Sequence, residues 1–253
     1  MNTCTFLAKM ARERPAQLAL LHGSQQITYR QFYERALAIG GNLRARGLMP
    51  GDRLAFCLAN SPRILETIYG CFAAGLVVVP INARLHAREI AYIVSNSGAR
   101  VLIHGPEYQE AVTEHLDAFV GLEQRICATT GEGDGDYASL CDPGASLSEP
   151  ASVSSTDPCW LFYTSGTTGR PKGAIWTHRT IRVVVMNYLA DVHNIQPGEV
   201  VLHAAPMSHG SGIVALPAVA RGATNVSLES KSFEPKVLFA LIERLRGAPP
   251  EAR

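Results

Sequence analysis

Eleven consecutive residues carry most of the chemistry legible in this 253-residue chain: Tyr163-Thr164-Ser165-Gly166-Thr167-Thr168-Gly169-Arg170-Pro171-Lys172-Gly173. Glycine lets the backbone take positive φ and come close to a ligand. Successive backbone N–H groups can then form a concavity for an anion. The hydroxyls of Thr164, Ser165, Thr167 and Thr168 add donors, and Lys172 adds a point charge suited to phosphate. The apolar run from Trp160 to Tyr163 leads in and reads as a buried strand, and a second apolar patch, Ala174 to Trp176, follows. The stretch is therefore expected to bind phosphate through Thr164, Ser165, Gly166, Thr167, Thr168, Gly169 and Lys172.

Two other readings compete. The common nucleotide loop needs Gly, four residues, then Gly-Lys-Ser/Thr. Counted from Gly166, Pro171 stands at the second glycine and Gly173 at the hydroxyl position, so that pattern fails. A bland surface turn also favours Gly, Ser, Thr and Pro. It does not account for eleven residues in this order.

Thr164 to Gly173 match Thr-Ser-Gly-Thr-Thr-Gly-x-Pro-Lys-Gly throughout. The chain thereby resembles the AMP-forming adenylate-forming family of acyl-CoA synthetases, peptide-synthetase adenylation domains and beetle luciferases. The resemblance runs from about Ile27 to about Arg246. Pro50-Gly51-Asp52-Arg53, Asn60-Ser61, Ala74-Gly75 and Val78-Val79-Pro80 also look typical of the family's N-terminal half, in structural roles.

The resemblance implies that the loop closes over the β- and γ-phosphates of ATP, with Mg²⁺ accompanying the nucleotide. A carboxylic acid, fatty or aromatic, would become an acyl-adenylate and then a thioester, commonly with coenzyme A. It also implies that His209, after Ala205-Pro206-Met207, lines the passage to the acid pocket together with Gly210. An imidazole there could gate the passage. A lone His after a strand is otherwise usually a satisfied polar residue. Gly210-Ser211-Gly212 is small for this place, which reads as a roomier pocket or a looser loop.

Family members also carry an adenine-binding Tyr-Gly-x-Thr-Glu segment, a ribose-binding Asp, a hinge and a C-terminal domain with a catalytic Lys. The last Tyr here is Tyr188 and the last Asp is Asp191, so no catalytic residue is assigned and no metal ligand is assigned. The expectation is a partial N-terminal portion, inactive alone and giving no acid-dependent pyrophosphate exchange by itself. A non-catalytic phosphate-binding remnant is the alternative. The acid, the thiol acceptor and the oligomeric state stay open.

The elements that must position these residues follow from hydrophobic periodicity. Expected helices are Phe6 to Arg14, one capped by Thr28 with Phe32, Ala36, Ile39 and Leu43 on one face, one from Pro62 to Gly75, His86 to Ser95, Ile181 to Ala190, and Phe233 to Arg246. Expected strands are Leu18 to Leu21, Gln26 to Thr28, Arg53 to Leu58, Leu76 to Pro80, Ala99 to Ile103, Trp160 to Tyr163, and a buried Gly198 to His203. Their alternation argues for an α/β fold of mostly parallel layered sheets with flanking helices. The division expected is a first α/β part at 1–127, a loop connection at 128–158, the phosphate-loop and acid-pocket part at 159–246 and a tail at 247–253. The connection, rich in Gly, Ser and Asp, reads as exposed surface chain, with Asp134 and Asp136 as solvated charges rather than metal ligands. His178 reads as a helix-start or structural residue.

Composition excludes several classes. Hydrophobic content is 47%, charged content 18% and net charge +1, which leaves no basic footprint for nucleic acid. The run Cys71 to Val79 falls far short of the roughly 20 apolar residues of a membrane helix. The six cysteines form no CxxC pair, which suits a reducing cytoplasm.

Overall fold

This computed structural model describes residues 1–129, 136–164, 170–229 and 234–247 of the chain. In chain order the elements begin with α1 (Thr5–Glu13), β1 (Leu18–His22), β2 (Gln25–Thr28), α2 (Tyr29–Ala45), β3 (Arg53–Cys57), α3 (Pro62–Ala74), β4 (Val77–Ile81) and α4 (Ala87–Ser97). Next come β5 (Ala99–His104), α5 (Gln109–Glu114), β6 (Gln124–Cys127), α6 (Asp136–Leu140), β7 (Pro158–Thr164) and β8 (Lys172–Thr177). The last are α7 (His178–Asn187), β9 (Val200–His203), α8 (Gly210–Arg221), β10 (Thr224–Ser227) and α9 (Pro235–Gly247).

The strands form two sheets, a six-stranded one in the order β6-β5-β3-β4-β7-β8 and a four-stranded one in the order β2-β1-β10-β9. Pairing is parallel except at β1–β2 and β7–β8. The expected α/β architecture of mostly parallel layered sheets is what the chain forms. No helix among the described residues is long and apolar enough to cross a membrane.

Helices join the sheets through one apolar core. Thr28 caps α2 in a reciprocal box with Gln31, and the expected face of Phe32, Ala36, Ile39 and Leu43 is fully buried. Rings cross the core, two pairs edge to face and the last one tilted. Phe32 meets Tyr69 at 5.2 Å, Tyr69 meets Phe72 at 5.6 Å, and Phe72 reaches Trp160 of β7 at 6.4 Å. The core thus touches the strand that leads into the Thr164–Lys172 stretch.

Four findings differ from expectation. The 128–158 connection is not wholly surface chain: Tyr137 and Leu140 of α6 are buried. The Tyr137 hydroxyl lies 3.1 Å from Thr67 Oγ1, and Asn42 Nδ2 donates to the carbonyls of Leu140 and Asp142. Two apolar anchors in a polar stretch suffice to strap it across α2 and α3. Asp136 opens α6, and Asp134 lies outside the described residues. The strand at 200–203 is half-buried at three of its four positions, because it forms the outer edge of its sheet. Helix α8 escapes periodicity because Gly210, Gly212 and Pro217 all read as breakers, yet Ala215, Leu216, Ala218 and Val219 pack it into place. Strands β6 and β10 were not expected, because Gln124–Cys127 and Thr224–Ser227 carry no apolar run.

His178 is structural. It begins α7 beside its cap Thr177 and accepts the Thr3 N–H on Nδ1 at 3.1 Å, with Thr3 Oγ1 at 2.8 Å. Burial pushes its pKa down to about 4. The folded chain therefore favours the neutral ring, while the unfolded chain takes up a proton below about pH 6.5. Stability should fall as pH drops from 6.5 toward 4, by about 1–2 kcal/mol at pH 5. Denaturant midpoints at pH 7.5 and 5.0 check this, and His178→Gln should lose this part of the pH dependence.

Candidate active site

The site is built on the β7–β8 hairpin. Its register sets Thr164 opposite Lys172, Phe162 opposite Ala174 and Trp160 opposite Trp176. Side chains alternate across a sheet and opposed residues share a face. One face of the hairpin therefore carries Trp160 and Trp176, then Phe162 and Ala174, then Thr164 and Lys172 at the mouth. Thr164 and Lys172 are exposed there. The other expected phosphate contacts, Ser165, Gly166, Thr167, Thr168 and Gly169, lie outside the described residues.

The opposite face fastens the mouth to α4. The Tyr163 hydroxyl donates to Asn96 Oδ1 at 2.7 Å, and the Tyr92 hydroxyl donates to the Pro171 carbonyl at 3.3 Å. Tyr92 and Asn96 are four residues apart, so they share a helix face. The Tyr163 ring crosses Gly173, where an added Cβ would stand 2.9 Å from ring carbons. Both chain ends flanking the loop are thereby held on rigid elements.

A second wall comes from residues 203–212. The Asn60 amide donates from Nδ2 to the carbonyls of His203 at 3.3 Å and Ala205 at 2.8 Å, and Oδ1 accepts the Met207 N–H at 2.8 Å. His203 is buried between Asn225 Oδ1, 3.0 Å from Nε2, and Ser211 Oγ, 2.8 Å from Nδ1. An N–H on Nε2 leaves Nδ1 to accept the Ser211 hydroxyl. Burial pushes the pKa of this imidazole down and keeps it neutral. Ser211 belongs to the first turn of α8, so His203 pins that turn to β10.

His209 takes the N-cap position of α8, half-buried, with its ring 5.6 Å from that of Phe162. Gly210 is exposed, and a Cβ there would meet nothing within 4 Å. Gly212 is the reverse case: a Cβ would stand 1.9 Å from the Met207 carbonyl oxygen. The small Gly210-Ser211-Gly212 run is thus a helix turn with open space at its start, not a loose loop. The structure brings His209 against the face that carries Thr164 and Lys172, through Phe162.

Tyr92, Asn96, Phe162, Trp176 and His203 were not expected here from the sequence, whereas Asn60 was expected in a structural role, which these bonds give it. Only the spacing of Tyr92 and Asn96 offered a signal. Among the described residues no group of three or more His, Cys, Asp or Glu could hold a metal ion.

The family model described as AMP-binding enzyme matches residues 7–247. A feruloyl-CoA synthase of Amycolatopsis sp is 37% identical over 242 residues, 94% of this chain and 46% of the relative. The long-chain-fatty-acid–CoA ligase FadD13 of Mycobacterium tuberculosis is 30% identical over 257 residues, 98% of this chain and 50% of the relative. The chain thus spans about half the length of these curated relatives. The inhibitor-bound N-terminal domain of FACL13 from the same organism superposes with a TM-score of 0.86 at 27% identity, covering 100% of this chain and 66% of that one.

Asn60 offers a test of the second wall. Asn60→Ala removes the partners of the part-buried Met207 N–H and His203 carbonyl and should cost about 1 kcal/mol. Hydrogen exchange at the Met207 amide should accelerate with it. Unchanged exchange there would show that Asn60 does not hold the segment.

Proposed function

Because this chain belongs to the AMP-binding enzyme family, we propose that it takes part in ATP-dependent activation of a carboxylic acid. The stretch from Thr164 to Lys172 binds the β- and γ-phosphates, and the side marked by His209 and Gly210 receives the acid. The carboxylate oxygen attacks the α-phosphorus of ATP, and the bond to the β-phosphate oxygen breaks. Acyl-adenylate and pyrophosphate result. A thiol, that of coenzyme A in this reading, then attacks the acyl carbon. Its sulfur forms the thioester, the carbon–oxygen bond to AMP breaks, and the thiol proton passes to solvent.

The observation that carries this reading is the shared face. Thr164 and Lys172 pair at the hairpin mouth, and the ring next to His209 stands on the same face two residues along the strand. At about 3.4 Å per residue that separation is about 7 Å. An acid beside His209 is then within reach of a triphosphate at the mouth. Bringing nucleophile and phosphorus together in this way supplies much of the catalysis of such a step.

Mg²⁺ enters this scheme with the nucleotide, as a hard cation neutralising phosphate oxygens. The chain's own contribution is the Lys172 ammonium and the Thr164 hydroxyl, both exposed at the mouth. The names of the relatives, one a feruloyl-CoA synthase and one a long-chain-fatty-acid–CoA ligase, support a carboxylic acid of aromatic or fatty type.

Calorimetry with Mg·ATP tests the phosphate half. Lys172→Ala should weaken binding about tenfold, the loss of one charge-assisted hydrogen bond. Gly166→Val should also weaken it. Equal affinity in the parent and both variants would defeat the proposal.

A further inference from the structure

His209 is only one of the rings beside the mouth. Phe162 and Trp176 lie 5.7 Å apart with their planes 18° from parallel, a stacked pair. His209 leans on Phe162 with its plane at 59°. Trp160, on the same face of the same hairpin, is fully buried, whereas Phe162, Trp176 and His209 all keep part of their surface exposed. Opposite Phe162 stands Ala174, small and exposed, and beyond His209 lies the open space at Gly210. Phe162 and Trp176 pack one side against the main core and leave the rest of their ring surface accessible beside His209.

We propose that Phe162 and Trp176 are specificity residues that select an aryl carboxylic acid. The substrate ring lies against the Phe162–Trp176 shelf beside His209, and the carboxylate points along the strand toward Thr164 and Lys172. This rests on the acid-activating reading above and narrows it to one class of acid. The geometry fits a flat acid with a short spacer, because ring and carboxylate must be separated by about the two-residue step from Phe162 to Thr164, ~7 Å. A planar ring gains stacking or edge contact with such a shelf, which an alkyl chain of equal area lacks. That advantage corresponds to roughly three- to tenfold in affinity.

The chain reports on the shelf directly, because its two tryptophans differ in exposure: Trp160 is fully buried and Trp176 is not. The experiment titrates the 253-residue chain with trans-cinnamate and, separately, with octanoate, with Mg·ATP present. Equilibrium dialysis gives both affinities, and tryptophan fluorescence shows whether Trp176 senses the ligand. Cinnamate should bind three- to tenfold more tightly than octanoate and change the emission. In Trp176→Leu and Phe162→Leu that preference should collapse toward unity with Mg·ATP affinity unchanged. Trp176→Phe should keep both the preference and the fold, and circular dichroism verifies folding in each variant.

A cinnamate-to-octanoate ratio that stays the same in Phe162→Leu and Trp176→Leu would overturn the shelf. So would a parent that binds octanoate better, or one that binds Mg·ATP and neither acid; the phosphate reading would survive each of these results. Acid binding with the expected preference but no Mg·ATP binding would instead overturn the phosphate reading and leave the shelf standing.

Discussion

The burial of Trp160 sets the geometry on which the site depends. This one residue pairs with Val78 of β4 on one side and with Trp176 of β8 on the other. Its ring closes the aromatic row that begins at Phe32 and passes through Tyr69 and Phe72. Strands have a side-chain period of two, so a slip of one residue would turn every side chain of β7 to the opposite face. With Trp160 held in the core, Phe162 and Thr164 must face the side where His209 stands, and Tyr163 must face α4. A core contact thereby decides which groups meet at the mouth.

Polar groups then do what apolar packing cannot. The chain from β9 into α8 is held by directional bonds from two other stretches, Asn60 before α3 and Asn225 on β10, and by Ser211 within the helix itself. Buried polar groups of this kind are costly unless paired, so their mutual satisfaction fixes one arrangement and penalises alternatives. Lowering the pKa of His203 by burial keeps its ring neutral, which preserves one donor and one acceptor. The mouth uses the same device from the other side, with Tyr92 and Asn96 on α4 tying down the backbone and the tyrosine next to the loop.

The two halves of the site also differ in rigidity of origin. Thr164 and Lys172 stand at the ends of paired strands, and His209 stands at the start of a helix. Groups carried on the ends of regular elements are positioned by the whole element, which is how a small number of exposed side chains can hold a reactive geometry. The half-buried rings of Phe162 and Trp176 sit between these two anchors.

The amino-acid sequence alone determined the local features of this protein. The stretch from Thr164 to Gly173 stood out because its glycines, hydroxyls and lysine are contiguous, and its order carries the resemblance to one family. Helices such as α2 and strands such as β4 were legible because capping residues and apolar periods act within a few residues. His209, after Pro206-Met207, was singled out by the family resemblance alone, not by any capping or periodic signal. The tertiary structure alone decided what brings distant residues together. That α8 is a helix follows from its buried face of Ala215, Leu216 and Val219, against the propensities of Gly210, Gly212 and Pro217. That Tyr137 and Leu140 pull a polar stretch onto the core follows from the groove they fill, which no local pattern announces. Asn60, Asn96, His203, Phe162 and Trp176 join the site through contacts across long chain separations or through strand register. A one-dimensional reading has no access to these, because the free energy that selects them comes from burial and pairing in the finished fold.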